Sequence, residues 1–329
     1  MIGKLRKLYI LKPRFIIENI LFPLSFLAGI YFKKLSRYNA EEIPRTFNWF
    51  RKCEWLPVPF HYYRPIIKED MLPKGYSELV DPLIGIDFRE EEQLKLLLKF
   101  QDNDELKQIS KKKMDEINPY YENRSFGMVD SSILYSMIRH FKPKRVIEIG
   151  GGNSTKIINL ALKHNTRETQ IQAEHICIEP FEQPFLEKIG VKIIRERVEK
   201  LDISFFKQLS KNDILFIDSS HTIRTKGDVV FEYLNLIPSL NKGVIVHSHD
   251  IYLPWDYPIK WIKDKLYFWN EQYLLQALIS HSLRYRVLMT NHFLSKKFPI
   301  YLLECFPMIS QDLLEGDVLA GSFWFQIVE

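Results

Sequence analysis

From Arg145 onward, short and almost wholly apolar runs alternate with helix-like stretches. The runs are Arg145–Ile149, His175–Ile178, Val191–Ile194, Asp213–Asp218, Gly243–His247, Tyr285–Thr290 and Ser322–Val328. Helical patterns fall between them, notably 155–164 (TKIINLALKH), 228–240 and 269–279 (WNEQYLLQALI). Runs that do not alternate apolar with polar residues predict strands covered on both faces. A parallel sheet with helices packed on each side provides that cover. The expected fold class is therefore α/β, Rossmann-like and doubly wound.

Upstream, residues 89–113 read as one helix, with Leu94, Leu97 and Leu98 facing the core. Residues 127–141 read as a second, stopped by Pro143. Between Phe47 and Tyr76 the chain is rich in Trp, Tyr, Phe and Pro, and prolines at 57, 59 and 65 predict an extended segment. Three regions follow: a basic and apolar N-terminal segment over 1–45, an extended and helical cap region over 46–125, and the α/β domain over 126–329.

Charge is uneven. Residues 1–37 hold eight basic side chains (Lys4, Arg6, Lys7, Lys12, Arg14, Lys33, Lys34, Arg37) against Glu18 alone, so +7 of the chain's net +5 lies there and the rest carries −2. A nearly neutral body with a basic head lacks the broad basic surface of a nucleic-acid binder. Between the two basic clusters, Phe15–Phe32 is apolar except for Glu18, Asn19, Pro23 and Ser25. Basic flanks around such a stretch describe contact with a membrane surface through residues 1–37. A packed helical appendage and a true span are the other two readings. Cys53, Cys177 and Cys305 are far apart and form no CxxC pair, which fits a reducing, cytoplasmic setting.

The first strand-to-helix turn reads Glu148-Ile149-Gly150-Gly151-Gly152-Asn153-Ser154-Thr155. Glycines at this point let backbone approach a ligand where strands end and a helix begins. Glu148, beside the glycines, would repel a pyrophosphate and attract a cationic amino group. Ser154 stands where a dinucleotide fingerprint has its third glycine. The second strand ends at Glu179, 31 residues after Glu148, a spacing suited to gripping ribose hydroxyls. The fourth ends at Asp218, followed by Ser219. S-adenosylmethionine, with an ammonium, a sulfonium and no phosphate, suits this acidic edge.

Taken together, VIEIGGGNST, ICIEP, DILFIDSSHTIRTKGDVV and GVIVHSHDIYLPWDYP resemble class I S-adenosylmethionine-dependent methyltransferases. The likeness is to the branch with FIDxSH and HD strand-end motifs (methyltransferase domain family 24), often found near polysaccharide and natural-product genes. HYYRP at 61–65, WNEQYLLQA at 269–277 and the closing SFWFQ extend the likeness over roughly 56–327. Gly151 departs from it, since serine is frequent there among relatives. The resemblance implies a seven-stranded sheet with an antiparallel last strand. It also implies S-adenosyl-L-methionine as cofactor, bound through Glu148, Gly150, Gly152, Asn153, Ser154, Glu179, Asp218 and Ser219.

Methyl transfer to a hydroxyl needs a base or a metal near the methyl group. Asp218, His221, His247, His249 and Asp250 gather at adjacent strand ends. Strand alternation puts His247 and His249 on one face and Asp250 on the other, unless the chain turns sharply at Ser248. Three roles stay open for the group. Asp218 and Asp250 hold Mg²⁺ or another divalent cation, His221 or His249 acts as a metal-free base beside Asp250, or the histidines lock loops together. The acceptor class is a carbohydrate or small natural product bound for O-methylation. Softer candidates are Tyr62, Tyr63, Phe126, Gly127, Asp130, Trp255, Tyr257 and the Trp269–Gln272 patch. A nicotinamide-dependent sugar oxidoreductase and a non-catalytic cofactor-binding module are the competing functions; no obvious Tyr-x-x-x-Lys pair supports the first.

Overall fold

In the computed structural model, residues 16–18, 20–101, 103–123, 125–309 and 320–329 are described. The expectations for Lys4, Arg6, Lys7, Lys12, Arg14, Phe15 and Asn19 lie outside them. The chain divides into two compact units, Met1–Pro73 and Lys74–Glu329.

The first unit contains helices α1 (Phe22–Leu35) and α2 (Pro44–Lys52), each with a proline in its opening turn. Proline is tolerated there because those N–H groups have no partner inside the helix. The Phe32, Phe50 and Trp55 rings pack together, Phe32 lying 4.9 Å from Trp55 and 6.0 Å from Phe50. The extended segment expected from Phe47 is shorter than the composition suggested. Phe47–Lys52 belongs to α2, and the chain straightens only from Trp55, where the prolines begin. Among the described residues no helix is long and apolar enough to cross a membrane.

The second unit is built on one seven-stranded sheet. Its strands are β1 (Arg145–Ile149), β2 (Glu174–Ile178), β3 (Lys192–Ile194), β4 (Ile214–Ile217), β5 (Ile245–Ser248), β6 (Tyr285–Thr290) and β7 (Phe323–Ile327). The order is β3-β2-β1-β4-β5-β7-β6. β1 to β5 run parallel, and β7 pairs antiparallel with both β5 and β6. Ile147, Ile176, Leu215 and Val246 are fully buried at the centre, as their unbroken apolar runs require.

Helices cover the sheet: α3 (Glu90–Leu98), α4 (Met128–Phe141), α5 (Asn153–Thr169), α6 (Asp228–Phe231) and α7 (Glu271–Ile279), followed by α8 (Asn291–Lys297) and α9 (Pro299–Cys305). α6 passes directly into a π-helical turn, Glu232–Leu236. The single helix expected over 89–113 ends at Leu98. The Asn103 side chain accepts the Glu105 N–H at 3.2 Å and starts a separate 3-10 turn, Asp104–Gln108. Leu97 is fully buried, whereas Leu98, also expected in the core, is 38% exposed. At the amino edge of the sheet, buried Asp213 accepts the Lys144, Arg145 and Ser210 N–H groups and the Ser210 hydroxyl. That pins β1 to β4 at the end away from the glycine turn.

Candidate functional site

The central order β2-β1-β4-β5 brings the carboxyl ends of these strands side by side, which places Glu148, Glu179, Asp218 and His249–Asp250 along one edge. The crossing point is Gly150. Its φ is +85°, and a Cβ there would stand 1.9 Å from the Asp218 carbonyl oxygen, so only glycine fits. Gly150 N–H donates to the Ile178 carbonyl at 3.0 Å, and Asp218 N–H donates to that of Ile149 at 2.9 Å. Beside this turn lies a cavity of about 270 Å³, lined by residues that include Phe126, Gly151, Gly152, Asn153, Phe185 and Asp218.

The acids expected to face a ligand there are differently disposed. Glu148 is fully buried and does not line the cavity. One of its oxygens accepts the Ser154 hydroxyl at 2.7 Å, and the other lies 2.9 Å from His175 Nε2. This corrects the picture of a carboxylate bared to a cofactor ammonium, because α5 and β2 supply its partners. Glu179 is buried, accepting the Gly151 N–H at 3.0 Å and the Phe181 N–H at 2.9 Å, so it clasps the loop around the cavity. Asn153 lines the cavity and donates to Ser125 Oγ at 2.9 Å. Ser154 lines it too, although its hydroxyl points to Glu148. The Ser219 hydroxyl instead donates to Glu232 Oε2 at 2.9 Å, at the π-helical turn.

Next to the cavity, four carboxylates surround two imidazoles. His221 Nε2 lies 3.2 Å from Asp218 Oδ1 and 3.4 Å from Asp250 Oδ2, while its Nδ1 lies 2.7 Å from Glu271 Oε2. His249 Nδ1 lies 3.4 Å from Asp250 Oδ2 and 3.6 Å from Asp218 Oδ1, and its Nε2 lies 3.6 Å from Asp130 Oδ2. Asp218 both lines the cavity and belongs to this cluster. His249 and Asp250 reach the same crevice because the chain turns directly after β5. The turn falls at Asp250, whose φ is +56°, rather than at Ser248. His221 has a φ of +58°. A left-handed backbone at a residue other than glycine costs about 1–3 kcal/mol and persists where surrounding contacts enforce it. At Asp250 the closely packed Gly321 is such a contact, 3.1 Å from a would-be Cβ to Asp250 Cα.

His247, the third histidine of the expected group, stays outside. Its ring stacks on Phe216 at 3.9 Å, packs against Trp324 and lies 2.9 Å from Ser322 Oγ. Burial, together with the nearby His249, drives its proton affinity well below that of an ordinary imidazole. Three partners were not singled out in the sequence for these tasks. Glu271 is fully buried and also accepts the Tyr233 hydroxyl at 2.6 Å; Tyr233 in turn lies 2.8 Å from Ser248 Oγ. Asp130 accepts from Asn291 Nδ2 and from the Gly321 and Ser322 N–H groups, tying α4 to the start of β7. An acid in a helix's first turn ordinarily serves the helix dipole, so neither Glu271 nor Asp130 carries a local mark of its tertiary role. Tyr257 is buried and Trp255 half-buried, Trp269 covers His221 with ring centres 4.3 Å apart, and Gln272 accepts the Tyr252 N–H. Tyr62 and Tyr63 lie in the first unit, exposed, with their rings 3.9 Å apart and tilted by 37°.

Burial by itself would strip the proton from His221. Its contacts with Asp218, Glu271 and Asp250 outweigh that and hold the ring's proton affinity well above normal. His249 is raised in the same way against its burial, by Asp250, Asp218 and Asp130. Asp218 is held below the usual carboxylate range, the two imidazoles overcoming its burial. Four carboxyl groups and two imidazoles thus meet in one crevice, a donor set rich in oxygen.

A sheet of this order, with an antiparallel strand inserted next to the edge and a glycine turn at the end of β1, defines a class I methyltransferase architecture. Residues 147–251 match a family model described as a methyltransferase domain. That span is a methyltransferase domain, and the protein is an S-adenosylmethionine-dependent methyltransferase. An uncharacterized protein of Archaeoglobus fulgidus is 28% identical over 185 residues, covering 51% of this chain and 81% of its own. The solved structure described as cmcI-N160 SAH is 12% identical, covers 69% of this chain and 92% of its own, and has a TM-score of 0.35. A putative protein-L-isoaspartate O-methyltransferase from Plasmodium falciparum, solved with S-adenosyl-L-homocysteine, is 13% identical, covers 50% and 84%, and has a TM-score of 0.29.

Proposed function

We propose that the protein methylates a hydroxyl oxygen of a carbohydrate or a small natural product, as in polysaccharide biosynthesis. The observation that carries this reading is the double position of Asp218, at once a wall of the cavity beside the glycine turn and a member of the carboxylate–imidazole cluster. A cofactor held in the cavity would thus present its methyl group next to groups able to take a proton. A sugar-type hydroxyl gives up its proton reluctantly, so this is the acceptor for which such a cluster is needed.

In this reading Gly150, Gly152, Asn153 and Ser154 form the backbone cradle, and Glu179, which does not itself line the cavity, holds the loop in shape by accepting the Gly151 and Phe181 N–H groups. Glu148 acts from behind the loop through Ser154. Asp218, His221 and Asp250 offer one ligand atom each, all within 4.8 Å of one another, and fit a divalent cation such as Mg²⁺. When bound, such a cation lowers the proton affinity of a coordinated hydroxyl. Glu271 fixes His221 so that Nε2 faces Asp218 and Asp250. With such a cation held, His221 Nε2 would be one of its ligands and His249 the ring left to accept the acceptor's proton; without a cation either ring serves as the base. S-adenosylmethionine, when bound, would supply the methyl group and leave as a neutral thioether, with the acceptor's proton passing to the ring that serves as base, so no redox partner is required.

The test is calorimetric titration with S-adenosylmethionine, followed by transfer of an isotopically labelled methyl group to pools of hydroxylated acceptors. Binding weakened at least about tenfold in Glu179→Ala, with label recovered as an alkali-stable ether, supports the reading. Unaltered binding in that variant, or label recovered only on nitrogen, sulfur or a carboxylate, overturns it.

A further inference from the structure

From Phe22 to Phe32, helix α1 is apolar on every side apart from Ser25. Phe22, Leu24, Phe26 and Leu27 are each more than 60% exposed, and Ile30 and Tyr31 are 44% and 49% exposed. A helix with no polar face is ordinarily covered by something other than water. Among the described residues of its own unit, shielding is confined to the last turns, where Phe32 packs on Phe50 and Trp55 and Leu35 is buried. At 14 residues α1 is about 21 Å long, against about 30 Å of bilayer hydrocarbon and about half that in one leaflet, so it is too short to cross and stays within one leaflet when tilted.

Charge identifies the cover. From Ile20 to Ala40 there is no acidic residue, and Lys33, Lys34 and Arg37 stand at the carboxyl end of the apolar run. From Ile20 to Lys68 eight basic residues face three acids. The chain after α2 adds exposed Trp55, Val58, Phe60, Tyr62 and Tyr63, and amphipathic rings of the Trp and Tyr type favour the headgroup level of a membrane. Between α1 and this segment lies a groove of about 620 Å³, lined by Phe32, Lys33, Trp55, Pro57, Phe60 and Lys68 among others. Its apolar walls and two ammonium groups match an acyl chain below a phosphate.

We propose that the first unit seats the protein on an anionic bilayer, with α1 entering one leaflet to the depth of Lys33 and Lys34 and the aromatic segment resting among the headgroups. This holds whatever the methyl acceptor is.

Flotation of the full-length protein with vesicles tests it. Phosphatidylcholine vesicles containing one-quarter phosphatidylglycerol should carry the protein up the gradient. Pure phosphatidylcholine should carry about tenfold less, and raised salt should weaken binding. Phe26→Asp/Leu27→Asp and, independently, Lys33→Glu/Lys34→Glu should each reduce flotation about tenfold or more, with unchanged S-adenosylmethionine titration confirming an intact second unit. No flotation with anionic vesicles, or flotation indifferent to both pairs of substitutions, overturns the proposal. So does a lipid-free dimer in sedimentation velocity that Phe26→Asp/Leu27→Asp dissolves while wild type fails to float, because a second copy then covers α1.

Discussion

Glu271 Oε2 stands 2.7 Å from Nδ1 of His221, although 50 residues separate them in the chain. This contact leaves Nε2 as the only ring nitrogen of His221 directed at Asp218 and Asp250. Because Tyr233 holds the other Glu271 oxygen, the ring's orientation is set from outside the cavity. Glu271→Gln should therefore lower kcat about 10–100-fold while leaving S-adenosylmethionine affinity nearly unchanged. Steady-state kinetics beside calorimetry separate the two, and an equal loss of affinity would mean that Glu271 serves the cofactor pocket instead.

Gly150 and Gly152 occupy one loop but make opposite predictions. At Gly150 the positive φ and the Asp218 carbonyl 1.9 Å from a would-be Cβ leave no room. Gly150→Ala should destabilise the domain by about 2 kcal/mol or more and abolish cofactor binding. Gly152 has an extended φ of −167° and nothing within 4 Å of a Cβ, so Gly152→Ala should alter stability by less than about 1 kcal/mol. Chemical denaturation of the two variants checks the contrast.

A Cβ at Gly151 would meet Cys177 Sγ at 2.7 Å and Leu186 Cδ1 at 3.0 Å. Gly151→Ser should cost about 1–3 kcal/mol by overpacking. Adding Cys177→Ala should recover part of that loss, giving a coupling of at least about 0.5 kcal/mol in a double-mutant cycle. Strict additivity would show that Cys177 is not what holds position 151 to glycine.

His292 is held to about 4 by burial, with Lys296 adding to the effect. Its ring lies among Tyr252 and Trp255. Unfolding returns it to the usual imidazole value near 6.5, so below that pH the unfolded chain binds more protons than the folded one. Its contribution to stability is therefore complete above about pH 6.5 and lost as pH falls toward 4, amounting to about 3 kcal/mol at the limit. His292→Phe should flatten the decline between pH 7.5 and 4.5 in urea-melt midpoints. An unchanged slope would place the acid sensitivity elsewhere.

The convergence of one ligand atom each from Asp218, His221 and Asp250, all within 4.8 Å of one another, predicts that a divalent cation stabilises the folded enzyme. At a hundred times its dissociation constant, Mg²⁺ or Mn²⁺ should add about 2.7 kcal/mol, visible as a raised melting midpoint. Asp250→Asn should remove most of that rise, and chelator should abolish it in wild type. A midpoint insensitive to both metals would leave the histidines to act without one.

What the sequence determined is what neighbouring residues impose on one another. Unbroken apolar runs identified all seven strands to within a residue or two, because a strand buried on both faces has no polar alternation to conceal it. Gly150 was legible for the same kind of reason, since a turn from strand to helix demands a backbone that only glycine adopts freely. The acids at the ends of β1, β2 and β4 could be placed on one edge, because parallel strands all finish on the same side. Tertiary structure alone decided where those acids point. Glu148 turned inward because Ser154 and His175 arrived from α5 and β2 with a hydroxyl and an imidazole. His249 and Asp250 joined one crevice because Gly321, some 70 residues later, packs against a left-handed Asp250. Glu271, Tyr233 and Asp130 likewise acquired their tasks from partners 15 to 192 residues away. A side chain's direction depends on which distant group meets its charge or hydrogen bond once water is excluded, and no pattern within one segment records that meeting.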